Sequence, residues 1–357
     1  MDRRSFLKSS AGIAAAMAPA AATASAAGAS RAPSLSKSVQ DVVLSSPWPD
    51  NSGGYADQVF GFGQRLERAS DGRLKVHYQT CAGNAQDPTS SGQAGLRFGL
   101  AHEYVALNPA FGFFAGLPAG MGLPFDALER WLIAGGGGTL WDEMSAEFGL
   151  KMLLAGHTGP SLGLWSARPL TSINDLTGQT IQAGGLADEV IKSLGGSPGR
   201  VPSHDLPHAL VRGAVRAAEW GNGAQCLAAG LADHVKYCTA TGLNCQGSSL
   251  TLTVSQHVWN GLGSGLQAVL TATAAAEARR SAAEAEANCA IVRHALHDVK
   301  GVQFYALPQD VAAASSRVTE AIVADIAARD RLSARINQSY VRAKAASLGA
   351  DMFLNAV

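Results

Sequence analysis

The chain has 357 residues and a mass of 36.7 kDa, which exceeds one ordinary domain of about 100–200 residues and predicts two lobes. Apolar residues make up 47% of it and charged residues only 16%, a composition that excludes an intrinsically disordered chain. Lys plus Arg equals Asp plus Glu at 28 each, so the chain lacks the basic excess that usually accompanies binding to nucleic acid or an anionic membrane. We therefore expect no nucleic-acid partner.

Residues 1–26 have the layout of an export signal. The basic string RRSFLK at positions 3–8 is followed by an Ala-rich stretch and by the small residues Ala24, Ser25 and Ala26. RRSFLK resembles the twin-arginine signal, and the stretch after it is too rich in Ala, and interrupted by Pro19, for a membrane anchor. We predict a signal peptide at 1–26, a flexible leader at 27–38 and export to the periplasm by the twin-arginine route; the alternative is a disordered Ala-rich tail.

The cysteines are odd in number, so at least one thiol is free or pairs between chains if the others form disulfides. The five are Cys81, Cys226, Cys238, Cys245 and Cys289. Their spacing matches no zinc pattern, although Cys238 and Cys245 could close a short loop in an oxidising compartment. Buried free thiols are the favoured interpretation for most of them.

Hydrophobic spacing predicts an α/β fold. Residues 42–44 form a short apolar run typical of a buried strand, Val59, Phe62 and Leu66 recur at helical spacing, and residues 74–78 alternate as a second strand. Further strands are predicted at 151–155, 162–165, 180–182, near 201, at 214–218 and at 250–254, with helices at 186–194 and 206–211. Longer helices are predicted around 263–298, 308–328 and 330–346. Strand, helix and strand in this order indicate parallel pairing.

Two features in the middle of the chain bear on function. Gly135 to Gly138 is a run of four glycines, but no Lys-Ser or Lys-Thr follows it, so it predicts a helix interruption or close packing rather than a phosphate site. The predicted strand 214–218 ends at Glu219 and Trp220. Because ligands in open α/β sheets bind beyond the carboxyl ends of the strands, these two residues are candidates for a binding site.

Several local strings, in this order and spacing, resemble the solute-binding proteins of TRAP transporters, the DctP-like family. The strings are Ser70-Asp71-Gly72-Arg73-Leu74-Lys75-Val76, residues 134–143, Phe148-Gly149-Leu150-Lys151, Asp175-Leu176-Thr177-Gly178, Gly184-Gly185-Leu186-Ala187 and Ala217-Ala218-Glu219-Trp220. The pattern is most similar to the α-keto-acid-binding branch, which carries an Ala-x-Glu-Trp string and a glycine run before Leu-Trp-Asp-Glu.

The resemblance implies a type II-like periplasmic binding protein of α/β class, with two lobes, crossing strands between them and C-terminal helices. It places lobe 1 at 39–158 plus 251–320, lobe 2 at 159–250 and a C-terminal helical extension at 321–357. It also implies that the lobes close on a small molecule and deliver it to TRAP-type permease subunits in the membrane, and that the protein is not an enzyme. Two alternatives stay open: a ligand-sensing periplasmic protein that feeds a receptor, and a metal-dependent or hydrolytic periplasmic enzyme.

The resemblance assigns ligand binding by position. The assigned residues are Glu219, Trp220, Gln182, His157, Ser161, His102, Glu103, Tyr104 and Cys245. Where the branch has an Arg that clamps the ligand carboxylate, this chain has Gln182, a neutral amide. The branch also binds a metal ion through a Gln, the backbone around Glu-Trp and a Glu; these positions are Ser161, Glu219-Trp220 and Cys245 here, so two hard oxygen ligands are missing. We predict no cofactor, with a metal bound beside the ligand as the alternative.

Two other departures change the side chains that face the cleft. His157 stands where the branch has Asn, and His102-Glu103 replace a pair of cleft aromatics ahead of Tyr104. We therefore predict a neutral, polar or cationic ligand rather than a simple keto acid. Arg97 or Arg168 could still supply a cation. A cleft that has lost its ligand is the remaining alternative.

Two further patterns concern metal ligands and contacts between subunits. His204 with His208, and His294 with His297, have helical spacing, but no third ligand accompanies either pair, so solvated or packed histidines are favoured over a metal site. In the resembling branch the C-terminal helix is exchanged between protomers. Residues 308–346 are apolar enough on one side for such a homodimer, and packing onto their own lobe is the alternative.

Overall fold

The computed structural model describes residues 38–48, 54–81, 95–202, 204–244 and 246–354, without the side chains of 349–354. The predicted signal peptide, all of the predicted leader except Ser38, and Cys245 lie outside the described residues. No helix in the described part of the chain is both long enough and apolar enough to cross a membrane. The described residues from Val39 onward form one compact unit, which contains two sheets.

The strands divide between a five-stranded and a six-stranded sheet. The first sheet contains β1 (Gln40–Ser46), β2 (Leu74–Thr80), β3 (Gly95–Leu100), β4 (Leu150–His157) and β10 (Ser249–Ser255), in the order β2-β1-β3-β10-β4. The second contains β5 (Trp165–Ser166), β6 (Thr180–Gln182), β7 (Ser197–Pro198), β8 (Ala217–Ala218), β9 (Tyr237–Thr239) and β11 (Gln303–Tyr305), in the order β11-β9-β5-β8-β6-β7. β1 is parallel to β2 and β3, whereas β10 is antiparallel to β3 and β4.

Helices cover both sheets. They are α1 (Tyr55–Ala69), α2 (Gly112–Ala115), α3 (Phe125–Ile133), α4 (Gly137–Ala146), α5 (Ala187–Ser193), α6 (Leu206–Arg212), α7 (Gly223–Ala228), α8 (Leu231–His234), α9 (Gln256–Gly261), α10 (Ser264–His294), α11 (Gln309–Arg329) and α12 (Arg331–Leu354). Short 3-10 turns occur at Ala101–Ala106, Pro109–Phe111 and Ile173–Asp175, and a π-turn at Ala295–Val299. The mixed α/β class and the parallel β1-α1-β2 unit predicted from the sequence are confirmed.

The first sheet is covered on one face by α1 and α10. Val59, Phe62 and Leu66 lie on one side of α1 because they are three and four residues apart, and all three are buried. They pack against strand residues such as Leu44 and Phe98. A separate core beneath the other elements contains Trp131 and Trp141, whose rings stack on either side of Phe114.

The glycine run separates two helices. α3 ends at Ile133 and α4 begins at Gly137, with Gly136 in the left-handed region at φ 83°. A Cβ on Gly137 would lie 2.6 Å from the Trp131 ring, so only glycine lets α4 start this close to the indole. The expectation of a helix interruption with close packing is confirmed.

The second sheet differs from prediction at several strands. Of the predicted strand 162–165 only Trp165 lies in β5, and β7, β9 and β11 were not predicted. Val201 is not in a strand, because its N–H and carbonyl bond to the side chain of Gln182 instead of to a neighbouring strand. Only Ala217 and Ala218 of the predicted 214–218 run pair as β8. β11 pairs with β9, so residues 303–305 belong to the second sheet even though the predicted boundaries put them with lobe 1.

The cysteines that the structure describes are free thiols. Cys226 and Cys238 are buried in the core under the second sheet, whereas Cys289 is exposed. Burial raises the pKa of Cys226 to about 12 and that of Cys238 further still, so both stay protonated and inert.

Candidate functional site

The cleft cavity is a hollow of about 620 Å³ that receives residues from both sheets. It lies where four strands end: Trp48 follows β1, Thr158 follows β4, Ala183 follows β6 and Glu219 follows β8. Its other lining residues are Pro47, Gly54, Tyr55, Leu100, His102, Val105, Ala115, Gly116, Ser161, Gly185, Leu186, His204, Trp220, Gly221, Gln225, Ala228, Ala229, Asn244, Gly247 and Ser248. A position beyond the carboxyl ends of strands is where α/β folds bind their ligands.

Glu219 is the buried acid of this cavity, with 5% of the residue exposed. Its Oε2 accepts the backbone N–H of Leu243 at 2.9 Å, and the N–H of Asn244 lies 2.9 Å from Oε1 and 3.0 Å from Oε2. Burial raises the pKa of the Glu219 carboxyl to about 7, and the two N–H donors counteract part of that rise. The side chain is therefore fixed in position before any ligand arrives.

The loop that holds Glu219 depends on a glycine. A Cβ on Gly242 would lie 2.5 Å from Oε1 and 2.7 Å from the carboxyl carbon of Glu219. Any larger residue at 242 must push the carboxylate away from the N–H groups of Leu243 and Asn244.

Aromatic rings line the cavity from both sheets. Trp48 and Tyr55 pack against the core of the first sheet, with ring centroids 4.8 Å apart and planes tilted by 43°. Trp220 packs against the core of the second sheet. All three are only partly buried, so ring surface is left for a ligand.

The histidines of the cavity add no fixed positive charge. Burial lowers the pKa of His102, which keeps this imidazole neutral at neutral pH. His204 is 78% exposed and lies 3.4 Å from a carboxylate oxygen of Asp205. Among the described residues that line the cavity, none is Lys or Arg.

Arg97 and Arg168, the two arginines considered from the sequence, and the nearby Arg200 do not line the cavity. The Arg97 guanidinium is buried and donates to Glu103 at 2.8 Å. The two opposite charges therefore neutralise each other, and Arg97 is not available to a ligand. Arg168 is exposed and does not line the cavity. Arg200 pairs with the buried Asp188 at 2.6 Å.

Of the nine residues assigned from the sequence, four line the cleft cavity: Glu219, Trp220, Ser161 and His102. Gln182, Glu103 and Tyr104 do not line it. Both groups of the Gln182 amide bond to the backbone of Val201, and the buried Tyr104 hydroxyl donates to Thr253 Oγ1 at 2.7 Å. The polar groups of Gln182 and Tyr104 therefore bond to other parts of the protein and do not face the cavity.

His157 lines a second hollow, the helix cavity, of about 600 Å³. This hollow lies along α1, α7 and α10 and shares Gly54, Tyr55, Gln225 and Ala228 with the cleft cavity. His157 Nδ1 accepts the N–H of Gly159 at 3.1 Å, and burial lowers the pKa of this imidazole to about 4. His157 therefore acts as a neutral group that shapes the turn after β4.

Trp48, Tyr55, Gln225 and Asn244 line the cleft cavity but are not among the residues assigned from the sequence. Trp48 follows β1, and Tyr55 is the first residue of α1. The signal that could have found Trp48 is its position two residues after the end of a buried strand. Tyr55, Gln225 and Asn244 carry no such signal, because they reach the cavity through helix and loop packing.

Comparison with known proteins agrees with this architecture. The sequence model of the family described as bacterial extracellular solute-binding protein, family 7 (DctP), matches residues 124–330. The chain belongs to this solute-binding family. A curated relative, a monocarboxylate 2-oxoacid-binding periplasmic protein of Nostoc sp., is 27% identical over 227 residues, which span 61% of this chain and 61% of that protein.

Solved structures of TRAP periplasmic solute-binding proteins share the two-lobed fold. One from Colwellia psychrerythraea, with bound calcium and pyruvate, has a TM-score of 0.81 at 24% identity and covers 89% of this chain and 100% of its own. One from Pseudoalteromonas atlantica, with sodium and pyruvate, has a TM-score of 0.80 at 24% identity and coverages of 89% and 98%. One from Bordetella bronchiseptica, a mixed occupancy dimer with calcium and picolinate, has a TM-score of 0.81 at 22% identity and coverages of 89% and 96%. The predicted fold class and family are confirmed.

The metal ions named for these structures raise the question of whether this solute-binding protein offers a matching site. Calcium takes six to eight oxygen ligands, usually with several carboxylates. In the described part of the chain no group of three or more His, Cys, Asp or Glu residues is arranged to hold a metal ion. The cleft cavity supplies one acid, Glu219, whose two oxygens already accept N–H groups, and the hydroxyl of Ser161. Among the described side chains of the cleft cavity, hard oxygen donors are therefore fewer than calcium prefers, and further ligands would have to be amide or backbone oxygens.

Proposed function

We propose that this family member works in the periplasm, captures a small polar molecule in the cleft cavity and delivers it to a TRAP-type membrane permease. The observation that carries the proposal is the cavity itself: it lies beyond four strand ends, receives residues from both sheets and holds Glu219 in a fixed position. A ligand that contacts both sheets stabilises the closed arrangement over the open one, which is how capture is coupled to delivery. No covalent step is part of this function.

We propose that the ligand is not a simple keto acid. A carboxylate ligand needs a cation or several strong donors, and the described lining residues include no Lys or Arg. Gln182, which stands where the resembling branch has an Arg, bonds to Val201 and does not reach the cavity. The structures with bound pyruvate or picolinate also hold a metal ion, whereas the described side chains of this cavity offer calcium one carboxylate, that of Glu219.

The export route and the oligomeric state complete the proposal. The string RRSFLK supports folding before export by the twin-arginine route.

A homodimer through α12 is supported by an exposed face that repeats at spacings of four and three residues: Ala334, Gln338, Val341, Ala345 and Leu348. This is the spacing of a helix-pairing seam, and its natural occupant is the same face of a second copy.

Thermal shift followed by calorimetry on the protein from Ala27 onward tests the proposal. The library contains organic acids with and without calcium, amino acids, polyols and amines. We expect at least one polar compound to raise Tm, with no consumption of that compound over hours, since binding to the native state alone stabilises it. Turnover of any compound, or no response to the whole library, would contradict the proposed function.

A further inference from the structure

We propose that the ligand carries an organic ammonium group, which binds between the Glu219 carboxylate and the aromatic rings of the cleft cavity. This inference rests on the proposed solute-binding function and names the chemical class of its ligand. It uses three observations: the charge of the cavity wall, the identity of the rings, and the small number of hard oxygen donors that the described side chains offer a metal ion.

The charge of the wall favours a cation. Glu219 is 5% exposed, and no ion pair joins it to a Lys, Arg or His in the described part of the chain. A carboxylate taken out of water is stabilised by backbone N–H donors, which Leu243 and Asn244 supply, and further by an opposite charge, which the described lining residues do not supply. Because burial raises the pKa of Glu219 to about 7, the carboxyl group is not fully ionised without a partner at neutral pH, and a cation bound beside it would favour the ionised form.

The rings favour an organic cation over an inorganic one. Trp48, Tyr55 and Trp220 present aromatic surface to the same hollow from two sheets. Aromatic faces attract ammonium groups, with Trp the strongest of the three ring types, and methylated ammonium groups add apolar contact. A hydrated metal ion gains little from rings, because it needs a shell of oxygen ligands.

The size of the hollow agrees with a small molecule. A volume of about 620 Å³ lies within the range of ligand sites, roughly 300–1,000 Å³. Asn244, Ser161 and Gln225 place amide and hydroxyl groups on the same wall, which suits hydroxyl or amide substituents on the ammonium compound.

A pair of probes that differ only in charge tests the inference. Choline and its uncharged carbon isostere, 3,3-dimethylbutan-1-ol, have the same shape, so a difference in Kd reports the charge alone. Tetramethylammonium, ethanolamine and putrescine extend the panel, and pyruvate with and without calcium forms the opposing arm. By calorimetry on the wild-type protein we expect at least one ammonium probe to bind, and the isostere to bind at least about tenfold more weakly than choline if choline is that probe.

Variants locate the bound group. Trp220→Leu should raise the Kd of the ammonium probe by about threefold to tenfold, and Glu219→Gln should raise it by more than about tenfold. Glu143→Gln, an exposed site on α4, is the matched control for charge and should leave Kd unchanged. If Glu219→Gln does not fold, the wild-type protein still tests the inference through the response to the ammonium panel against pyruvate and polyols, and through choline against its isostere where choline binds.

The outcomes separate the inference from the proposed function. Equal binding of choline and its isostere, or binding of pyruvate or polyols with no response to any ammonium probe, would overturn the inference and leave solute binding intact. No response to any compound would overturn both.

Discussion

The backbone N–H of Asn244 lies between both carboxylate oxygens of Glu219, at 2.9 and 3.0 Å, and thereby joins the end of β8 to the loop that leads into β10. β8 belongs to the second sheet and β10 to the first. The acid of the cleft cavity is thus held by a segment that runs between the two sheets. A ligand that contacts Glu219 and shifts its side chain would therefore also shift this connecting segment.

Gly242→Ala should disturb this arrangement directly. The added Cβ would lie 2.5 Å from Glu219 Oε1, a contact that forces the carboxylate or the loop to move. We expect a loss of about 1–3 kcal/mol in unfolding free energy and a clear rise in the Kd of any ligand found by the screen, measured by urea denaturation and calorimetry. Gly265→Ala, in α10 with no atom within 4 Å of the new methyl, is the control and should be neutral or slightly stabilising. If the ligand affinity of Gly242→Ala equals that of wild type, Glu219 does not take part in ligand binding.

Tyr104→Phe separates a core role from a ligand role. Tyr104 is fully buried, and its hydroxyl donates to Thr253 Oγ1 across the first sheet. Because the partner loses its bond, the variant should lose about 1–2 kcal/mol of unfolding free energy. The Kd for ligand should stay within about twofold of wild type. Adding Thr253→Val should recover part of the loss, and a large change in Kd with unchanged stability would instead place Tyr104 in the binding site.

The hydrophobic spacing of the sequence predicted those helices and strands that form from contacts between residues close together in the chain. α1, β1 and β2 form where the hydrophobic period is strong, and the parallel pairing of β1 with β2 follows from their order. β3 was not predicted, because it contains Arg97, a residue type that is usually exposed. Arg97 is buried here because it pairs with Glu103, a contact that the sequence does not show. Val201 was wrongly placed in a strand because the partner of its backbone is a side chain nineteen positions earlier.

Part of the candidate site was also predictable from the sequence. Glu219 and Trp220 were identified because they follow a strand end, a rule that depends on fold class alone. Gln182 occupies a comparable strand end, yet its amide is satisfied by the backbone of Val201. Whether a polar side chain faces a ligand or its own chain depends on contacts between distant segments, which one sequence does not show.

Asp175→Asn should reveal a pH-dependent contribution to stability. Burial favours the neutral acid, but bonds from Thr171 and Arg216 outweigh burial and lower the pKa of Asp175 to about 2. A pKa that is lower in the folded state than in the unfolded chain stabilises the fold above about pH 4 and loses that effect as the pH falls toward 2. Because the side chain is partly exposed, we expect the variant to lose about 1–2 kcal/mol at neutral pH.

Urea denaturation across the pH range checks the Asp175 prediction. The difference between wild type and Asp175→Asn should shrink steadily between about pH 4 and pH 2. Asp126→Asn, which removes an exposed ion pair with Arg130, is the control and should change stability by less than about 0.5 kcal/mol at any pH. A difference that stays constant on acidification would contradict the assignment.

Glu277→Gln should loosen the attachment of α10 to α1. The Glu277 side chain is fully buried and pairs with Arg65 of α1 and Arg280 of α10, each at 2.5 Å. Removing the charge leaves two guanidinium groups beside each other, and because both are about a third exposed we expect a loss of about 2–3 kcal/mol, below the cost for a fully buried pair. Glu284→Gln removes the exposed partner of Arg280 and should cost under about 1 kcal/mol, so similar losses in the two variants would contradict a special role for Glu277.

The double variant Val341→Glu with Leu348→Glu should prevent the proposed homodimer. Both side chains are more than half exposed on α12, while Ile336 and Tyr340 on its other side are buried against the protein's own core. Glutamates on the exposed face keep helix propensity but place like charges opposite each other in a symmetric pair, so the monomer should fold normally and no longer associate. Light scattering after gel filtration should show a dimer for wild type and a monomer for the variant, with Val211→Glu on α6 remaining dimeric. A monomeric wild-type protein would rule out this dimer, since the seam would then be a solvated face with apolar residues that need no partner.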